Sequence, residues 1–268
     1  MAGERPKDMA GERPKDMGGR GYSEPELLAV LMSREVRDGE ISACGALSMI
    51  PAAGLLLAKA RHAPDAQLIV LGSPAYMPFP TSRQFHYLCQ RGELGLFFVS
   101  GVQIDRFGNY NLHLLGDPER PTVRFPGGYG GGMIYYAARR SIVFRTEHTR
   151  RSLVERVDFV SAAGSTPPDV LRLGGPSKVL TPKAAFRFDK PSGLLQLESV
   201  HPPYSAAHIA ENTGFDLGDV SSVRATAEPT AEELRTLRGE VRDTMIETGT
   251  YADWARQTLG GDGAAGPG

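Results

Sequence analysis

Val102-Gln103-Ile104-Asp105-Arg106-Phe107-Gly108-Asn109-Tyr110-Asn111 and, further along, Arg124-Phe125-Pro126-Gly127-Gly128-Tyr129-Gly130-Gly131-Gly132 are the stretches around which the rest of the chain is arranged. An apolar strand pattern, Leu96 to Val99, stands before them and a second, Ser141 to Phe144, stands after. What lies between holds too many glycines for a packed element. Glycine lets a backbone approach a ligand closely or take positive φ. The segment Gly127 to Gly132, interrupted only by Tyr129, therefore reads as a backbone-lined cradle for an anion or oxyanion, or else as a surface loop.

Working outward, the strands alternate with helices on the N-terminal side. Ser23-Glu24-Pro25-Glu26 combines an N-cap serine, an early proline and a glutamate three residues on, the pattern of a capping box. Leu27, Leu28, Leu31 and Met32 follow at helical spacing, supported by Val30 and Val36, and Asp38-Gly39 ends the helix. Glu40 to Gly45 reads as a short buried strand. It leads into a helix from Ser48 to Ala60, ended by Arg61-His62-Ala63-Pro64. Gln67 to Leu71 is a continuous apolar run, predicting a strand buried on both faces. Its carboxyl-end loop, Gly72 to Tyr76, occupies the place where open α/β sheets bind ligands. Tyr76, Met77, Phe79 and Pro80 give that loop an apolar wall, suited to packing or to a bulky hydrophobic substrate. A helix over Arg83 to Arg91 carries His86, a lone histidine with no second ligand beside it, and so structural.

Beyond the glycine run the spacing predicts a helix over Ile134 to Ala138 and strands over Ile142 to Phe144 and Val157 to Val160. Glu147 with His148 reads as an acid–base pair or as a solvated turn. Ala162 to Ser177 is a long loop. Ser177 to Thr181 and Ala184 to Phe188 pair as strands, and Asp189 to Gly193 turns into a third, Leu194 to Val200. Helices over Ala206 to Thr213 and Ala231 to Ile246 complete the pattern. Alternation early and antiparallel pairing late predict an α/β fold with an open mixed, mainly parallel sheet flanked by helices.

Composition excludes several function classes. The 268 residues are 41% apolar and 23% charged with a formal net charge of −1, so a basic face for nucleic acid is not expected. No window nears the ~18 uninterrupted apolar residues of a membrane span, and the polar start lacks the apolar core of a signal peptide. Cys44 and Cys89, the two cysteines, have no metal spacing and read as reduced thiols of a cytoplasmic protein. No metal site is expected. A nicotinamide dehydrogenase is disfavoured because the first helix lacks GxGxxG and no acidic ribose-binding residue follows the glycine run at the expected distance. Met1 to Asp8 repeats as Met9 to Asp16. That duplication sets residues 1–20 apart as a disordered extension, 21–258 as one α/β domain and 259–268 as a disordered tail.

The residues also carry a resemblance. Gln103-Ile104-Asp105 with Gly108-Asn109, the Arg124-Phe125 lead into the glycine run, His148 to Ser161, and Glu211-Asn212-Thr213-Gly214-Phe215 resemble the β subunit of class I coenzyme A transferases, with glutaconate CoA-transferase the nearest form. The likeness spans about Glu26 to Ala227. It implies a CoA-transferase β-subunit fold, a homologous α subunit completing an αβ and then α2β2 assembly, and an acyl-CoA substrate bound between subunits. In such transferases the strand matching Leu68 to Leu71 ends in a glutamate that attacks the thioester. Here the chain reads Leu71-Gly72-Ser73, with no carboxylate nearby in sequence.

That departure suits the ring-opening CoA hydrolase of bacterial steroid catabolism, whose β subunit the segment Tyr76 to Asp105 also resembles. Such an enzyme needs a base for water and donors for oxyanions, without a covalent glutamyl intermediate. The base is then expected from the α subunit, with Arg124 as the catalytic cation of this chain, or else paired to Asp117 or Glu119. Gly72, Ser73, Tyr76, Gln103, Asn109, Gly127, Gly128 and Gly130 are the candidate substrate-binding residues. Gln103 and Asp105 shape the pocket, or Asp105 caps the Gly108-Asn109 turn, and Asn109 and Asn111 are open to the same two readings. No cofactor beyond the coenzyme A of the substrate is expected. A transferase with another nucleophile and a non-catalytic scaffold subunit remain the alternatives.

Overall fold

The computed structural model describes residues 19–260. The duplicated octapeptide and residues 261–268 lie outside the described residues. In chain order the elements are α1 (Glu24–Ser33), β1 (Ile41–Cys44), α2 (Met49–Arg61), β2 (Gln67–Val70), α3 (Ser82–Gln90), β3 (Leu94–Ser100), β4 (Gln103–Asp105), β5 (Tyr110–Asn111), β6 (Leu114–Leu115) and β7 (Val123–Arg124). Next come α4 (Gly131–Ala137), β8 (Arg140–Phe144), β9 (Leu153–Val154), β10 (Pro176–Leu180), β11 (Ala184–Asp189), β12 (Leu194–Val200), α5 (Ala206–Asn212) and β13 (Arg224–Ala225). The C-terminal helices are α6 (Ala231–Thr236), α7 (Arg242–Glu247) and α8 (Ala252–Thr258).

The main sheet runs β13-β12-β11-β10-β8-β3-β1-β2. β2, β1, β3, β8 and β10 are mutually parallel, and β11 and β12 add antiparallel pairs. This is the expected open, mixed, mainly parallel sheet. Successive side chains of a strand face opposite ways, and that alternation splits the core in two. Cys44, Val70, Leu96, Phe98, Ile142 and Phe144 face α1, α2 and the C-terminal helices. Ala43, Ile69, Phe97, Val99 and Val143 face α3, α4 and the β4–β5 hairpin. The Glu26 carboxylate starts α1 by accepting the Ser23 amide at 2.8 Å, and it also takes Arg238 Nε at 2.6 Å.

Gln67 to Val70 is the edge strand of the sheet, with Gln67 exposed, yet its apolar run is covered on both faces as expected, Val70 by the helical layer and Ile69 by the opposite core. Some expectations are corrected. Val157 to Val160 is not a strand. Pairing with β4 falls instead on Leu153–Val154, and Phe159 and Val160 are exposed. The helix expected over Ala231 to Ile246 is α6 and α7 joined by a π-helical turn at Leu237–Val241, and α8 is an addition that the sequence pattern does not predict. Of the expected extension, Arg20 is tied to Glu228. Of the expected tail, Leu259 is buried against the helical layer.

Candidate functional site

The β4–β5 hairpin is a polar knot built by its own sequence. Asp105 accepts the amides of Phe107 and Asn109 at 3.0 and 3.1 Å, Asn109 Nδ2 at 3.0 Å and the Val157 amide at 3.4 Å. Burial pushes the Asp105 carboxyl up, while these donors pull it down. Asn109 Oδ1 accepts the Gly164 amide at 2.8 Å. Asn111 Nδ2 donates to Gln103 Oε1 at 2.9 Å and to the Leu114 carbonyl at 2.6 Å. Gln103 Oε1 also accepts the Asp158 amide at 3.0 Å. Of the two readings open for Asp105, Asn109 and Asn111, the structure supports the local one, with Asp105 capping the Gly108-Asn109 turn. Asp105, Asn109, Asn111 and Gln103 direct these atoms at the chain itself.

The hairpin positions the glycine loop. β6 pairs with β7, setting Leu114 against Arg124 and Leu115 against Val123, and the Phe125 amide donates to the His113 carbonyl at 2.9 Å. Arg124 is exposed and has no ion pair among the described residues, so the alternative bridge to Asp117 or Glu119 is not formed. Gly127 and Gly130 sit at φ +95° and +73°, conformations that side-chain-bearing residues rarely adopt. The amides of Gly127, Gly128 and Gly130 have no acceptor among the described residues. Two imidazoles close on this loop. Cβ atoms added at Gly127 and Gly130 would lie 3.4 Å from His113 Nε2 and 2.8 Å from His86 Nε2. His86 Nε2 lies 3.3 Å from the Tyr129 carbonyl, to which it donates. His86 is thus structural, as expected, and the backbone it holds is the glycine loop, while His113 carries no motif in the sequence that marks it. Gly131 and Gly132 belong to the first turn of α4.

The loop after β2 is built differently. Ser73 is 1% exposed, and its hydroxyl shares a 2.6 Å hydrogen bond with Thr250. Tyr251 donates to the Ala46 carbonyl at 2.7 Å. A methyl carbon on Gly72 would lie 3.0 Å from the Ala46 carbonyl carbon, with the Ala46 and Tyr251 oxygens nearer still. The C-terminal segment therefore clamps this strand end, and the Ser73 side chain is engaged internally. Tyr76 closes a 3-10 turn, Pro74–Tyr76, and packs half-buried against the helical side of the core. Leu71 packs against the opposite side, and its amide donates to the Cys44 carbonyl.

Among the described residues the carboxyls held above their usual range, chiefly by burial, are those of Glu24 and Asp105. Glu24 feels the charge of Lys183, at the β10–β11 turn. β2 lies four strands from β10, roughly 19 Å at the usual strand spacing. Glu24 therefore lies far across the sheet from Leu71, and the Asp105 carboxylate is spent on the β4–β5 hairpin. Glu147 is ion-paired to Arg151 and Arg145 and hydrogen-bonded to Thr149, which hold it down at about 2. Its neighbour His148 is no solvated turn residue. It is 2% exposed, bridges Thr181 at 2.8 Å and Thr213 at 3.2 Å, and is pushed down to about 4 by burial and by Lys183, His208 and His201. No group of three metal-ligating side chains occurs among the described residues. Clefts of about 350 and 470 Å³ open along β12 and β13. The candidate residues lie elsewhere and line neither of them.

The fold is thus a mainly parallel α/β sheet whose β2 end is clamped by the C-terminal segment, with a separate glycine loop whose Gly127, Gly128 and Gly130 amides have no acceptor among the described residues. The family model described as coenzyme A transferase matches residues 79–212. One chain of the glutaconate CoA-transferase of Acidaminococcus fermentans is 29% identical over 252 residues, covering 82% of this chain and 92% of that protein. The cholesterol ring-cleaving hydrolase IpdB subunit of Rhodococcus jostii is 30% identical over 226 residues, covering 76% and 86%. The crystal structure of the Acidaminococcus glutaconate coenzyme A-transferase superposes with a TM-score of 0.72 at 27% identity, over 86% of this chain and 98% of that one. This chain belongs to the coenzyme A transferase family.

Proposed function

We propose that the chain is the β subunit of a heteromeric hydrolase that opens a ring in a cyclic dione CoA thioester by retro-Claisen carbon–carbon cleavage. The observation that carries this reading is Leu71-Gly72-Ser73 at the end of β2. There the resemblance calls for an attacking glutamate and the chain offers an aliphatic side chain in a clamped loop. Leucine has no lone pair to form the acyl anhydride of a transferase. The 30% identity to a protein named for cholesterol ring cleavage supports the same reading.

In the proposed reaction a base, assigned to a glutamate of the homologous α subunit, takes a proton from water. The hydroxide adds to a ring ketone and gives an alkoxide. As that carbonyl re-forms, the carbon–carbon bond breaks and its electron pair passes to the carbon beside the thioester, leaving a thioester enolate and a carboxylic acid that loses its proton to solvent. Protonation at carbon completes the product. Oxyanions arise twice, and preorganised donors serve them best. Arg124 and the free amides of Gly127, Gly128 and Gly130 take that part, the guanidinium staying charged throughout. Coenzyme A enters as part of the substrate, and the assembly is α2β2 in the cytoplasm.

The test is to co-express the chain with its α subunit and assay the complex on steroid-derived cyclic-dione CoA thioesters. Ring-opened acid without acetate-to-CoA exchange is the expected result. Exchange without ring opening refutes it and favours a transferase, in line with the 29% identity to the glutaconate enzyme.

A further inference from the structure

His113 sits where the hairpin meets the glycine loop. Its Nδ1 lies 2.6 Å from Ser161 Oγ, and the ring packs 5.2 Å from that of Phe159. Ser161 Oγ also accepts the Leu112 amide at 2.7 Å. Its hydroxyl hydrogen is therefore left to donate, and His113 Nδ1 is the acceptor in reach. An imidazole that accepts at Nδ1 carries its proton at Nε2 when neutral. That nitrogen faces Gly127, within 3.4 Å of where a Cβ would stand. A second polar group below the same loop is unspent: Tyr110 is fully buried, its hydroxyl has no partner among the described residues, and it lies 2.6 Å from where a Cβ of Gly131 would be. Glycine at these positions leaves room for both.

We propose that His113, held as its Nε2–H tautomer by Ser161, is the side-chain donor that binds the substrate's thioester or enolate oxygen at the Gly127–Gly130 loop. The inference rests on the CoA-thioester reading above. In it His113 transfers no proton. It supplies a hydrogen bond that strengthens as the oxygen gains charge, alongside the loop amides. The residue's sequence neighbours, Leu112 and Leu114, give no hint of this. The Ser161 that fixes the ring lies 48 residues on.

Two measurements on the complex with its α subunit separate this inference from the reaction proposed above. Imidazole nitrogen NMR of the complex reports the tautomer directly. The Nε2–H form is expected for His113, with its Nε2 resonance shifting on addition of acetyl-CoA but not of free coenzyme A. The Nδ1–H form, or no response to the thioester, overturns the proposal even if ring opening is observed. Kinetics with the dione thioester then read the consequence. His113→Phe is expected to lower kcat about 10²-fold with KM nearly unchanged, the loss typical of one oxyanion donor. His113→Gln, which can place an amide N–H near the same point, should recover part of that loss, and Ser161→Ala should cost less than His113→Phe. Equal losses in His113→Gln and His113→Phe refute the donor role. If the wild-type complex has no ring-opening activity, the reaction proposal falls, and the NMR response to acetyl-CoA still decides the role of His113.

Discussion

Gly72→Ala is the substitution that most sharply probes the strand end on which the functional reading depends. The new methyl carbon would lie 3.0 Å from the Ala46 carbonyl carbon, inside the 3.5–4.0 Å at which carbons normally pack. The Ala46 oxygen and the Tyr251 hydroxyl are closer still. Relief requires the Ala46 backbone to move by about half an ångström or more, an overpacking cost of about 1–3 kcal/mol. If Tyr251 also swings out, its 2.7 Å hydrogen bond to Ala46 is lost, adding about 1 kcal/mol. A total destabilisation of about 2–4 kcal/mol is expected in urea unfolding, with an unchanged denaturant slope. Tyr251→Phe identifies the obstacle. It removes the hydroxyl but leaves the Ala46 backbone, so Gly72→Ala in that background should remain destabilised by at least about 1 kcal/mol. A Gly72→Ala chain within about 0.5 kcal/mol of its parent, the range of an unremarkable surface change, would refute the clamp and with it the reason Ser73 is unavailable to substrate.

Asp105→Asn turns an acceptor of four hydrogen bonds into a group with one acceptor oxygen. Urea unfolding should register a loss of about 2–4 kcal/mol, and an effect below about 0.5 kcal/mol would leave the hairpin knot without energetic weight. His148 and His201 are both pushed from 6.5 down to about 4, chiefly by burial. The unfolded chain then binds more protons than the folded one between those values. Their contribution is intact above about pH 6.5 and is lost as pH falls toward 4. Unfolding free energies at pH 7 and pH 5 should differ by roughly 2 kcal/mol per imidazole, and a flat profile over that interval would contradict the buried, neutral assignment. Arg124→Ala should leave stability within about 0.5 kcal/mol, because the side chain is exposed and unpaired among the described residues. In the assembled complex it should lower kcat about 10²-fold, whereas unchanged turnover would indicate a scaffold subunit.

The fold is legible where local chemistry and tertiary structure agree. The Ser23–Glu26 pattern marks the start of α1, and the Asp189–Gly193 turn marks the β11–β12 hairpin. Gln67 to Val70 is legible too, because Ile69 and Val70 pack into opposite faces of the core even though β2 is an edge strand. Two-residue β9 is defined by its pairing with Ile104 and Asp105 rather than by its own composition, so the neighbouring Val157 to Val160 looks the better strand. α8 begins at Tyr251 in the left-handed region, φ +54°, a start without the usual capping residue. At the site, the glycine loop announces itself by composition. The imidazoles that flank it do not, because His86 and His113 reach it from elements 27 residues apart in sequence, brought together only by the fold. Gln103 and Asn109 stand out as polar residues in an apolar setting. That signal is the same whether such groups bind a ligand or satisfy one another.

The central claim is that no carboxylate of this chain is acylated during turnover. The most direct measurement is the intact mass of the chain after the complex has been incubated with its CoA thioester and then reduced with borohydride, which captures a glutamyl thioester. An unchanged mass during active ring opening is the expected result. A chain mass altered at an acidic residue, in step with turnover, would contradict the account.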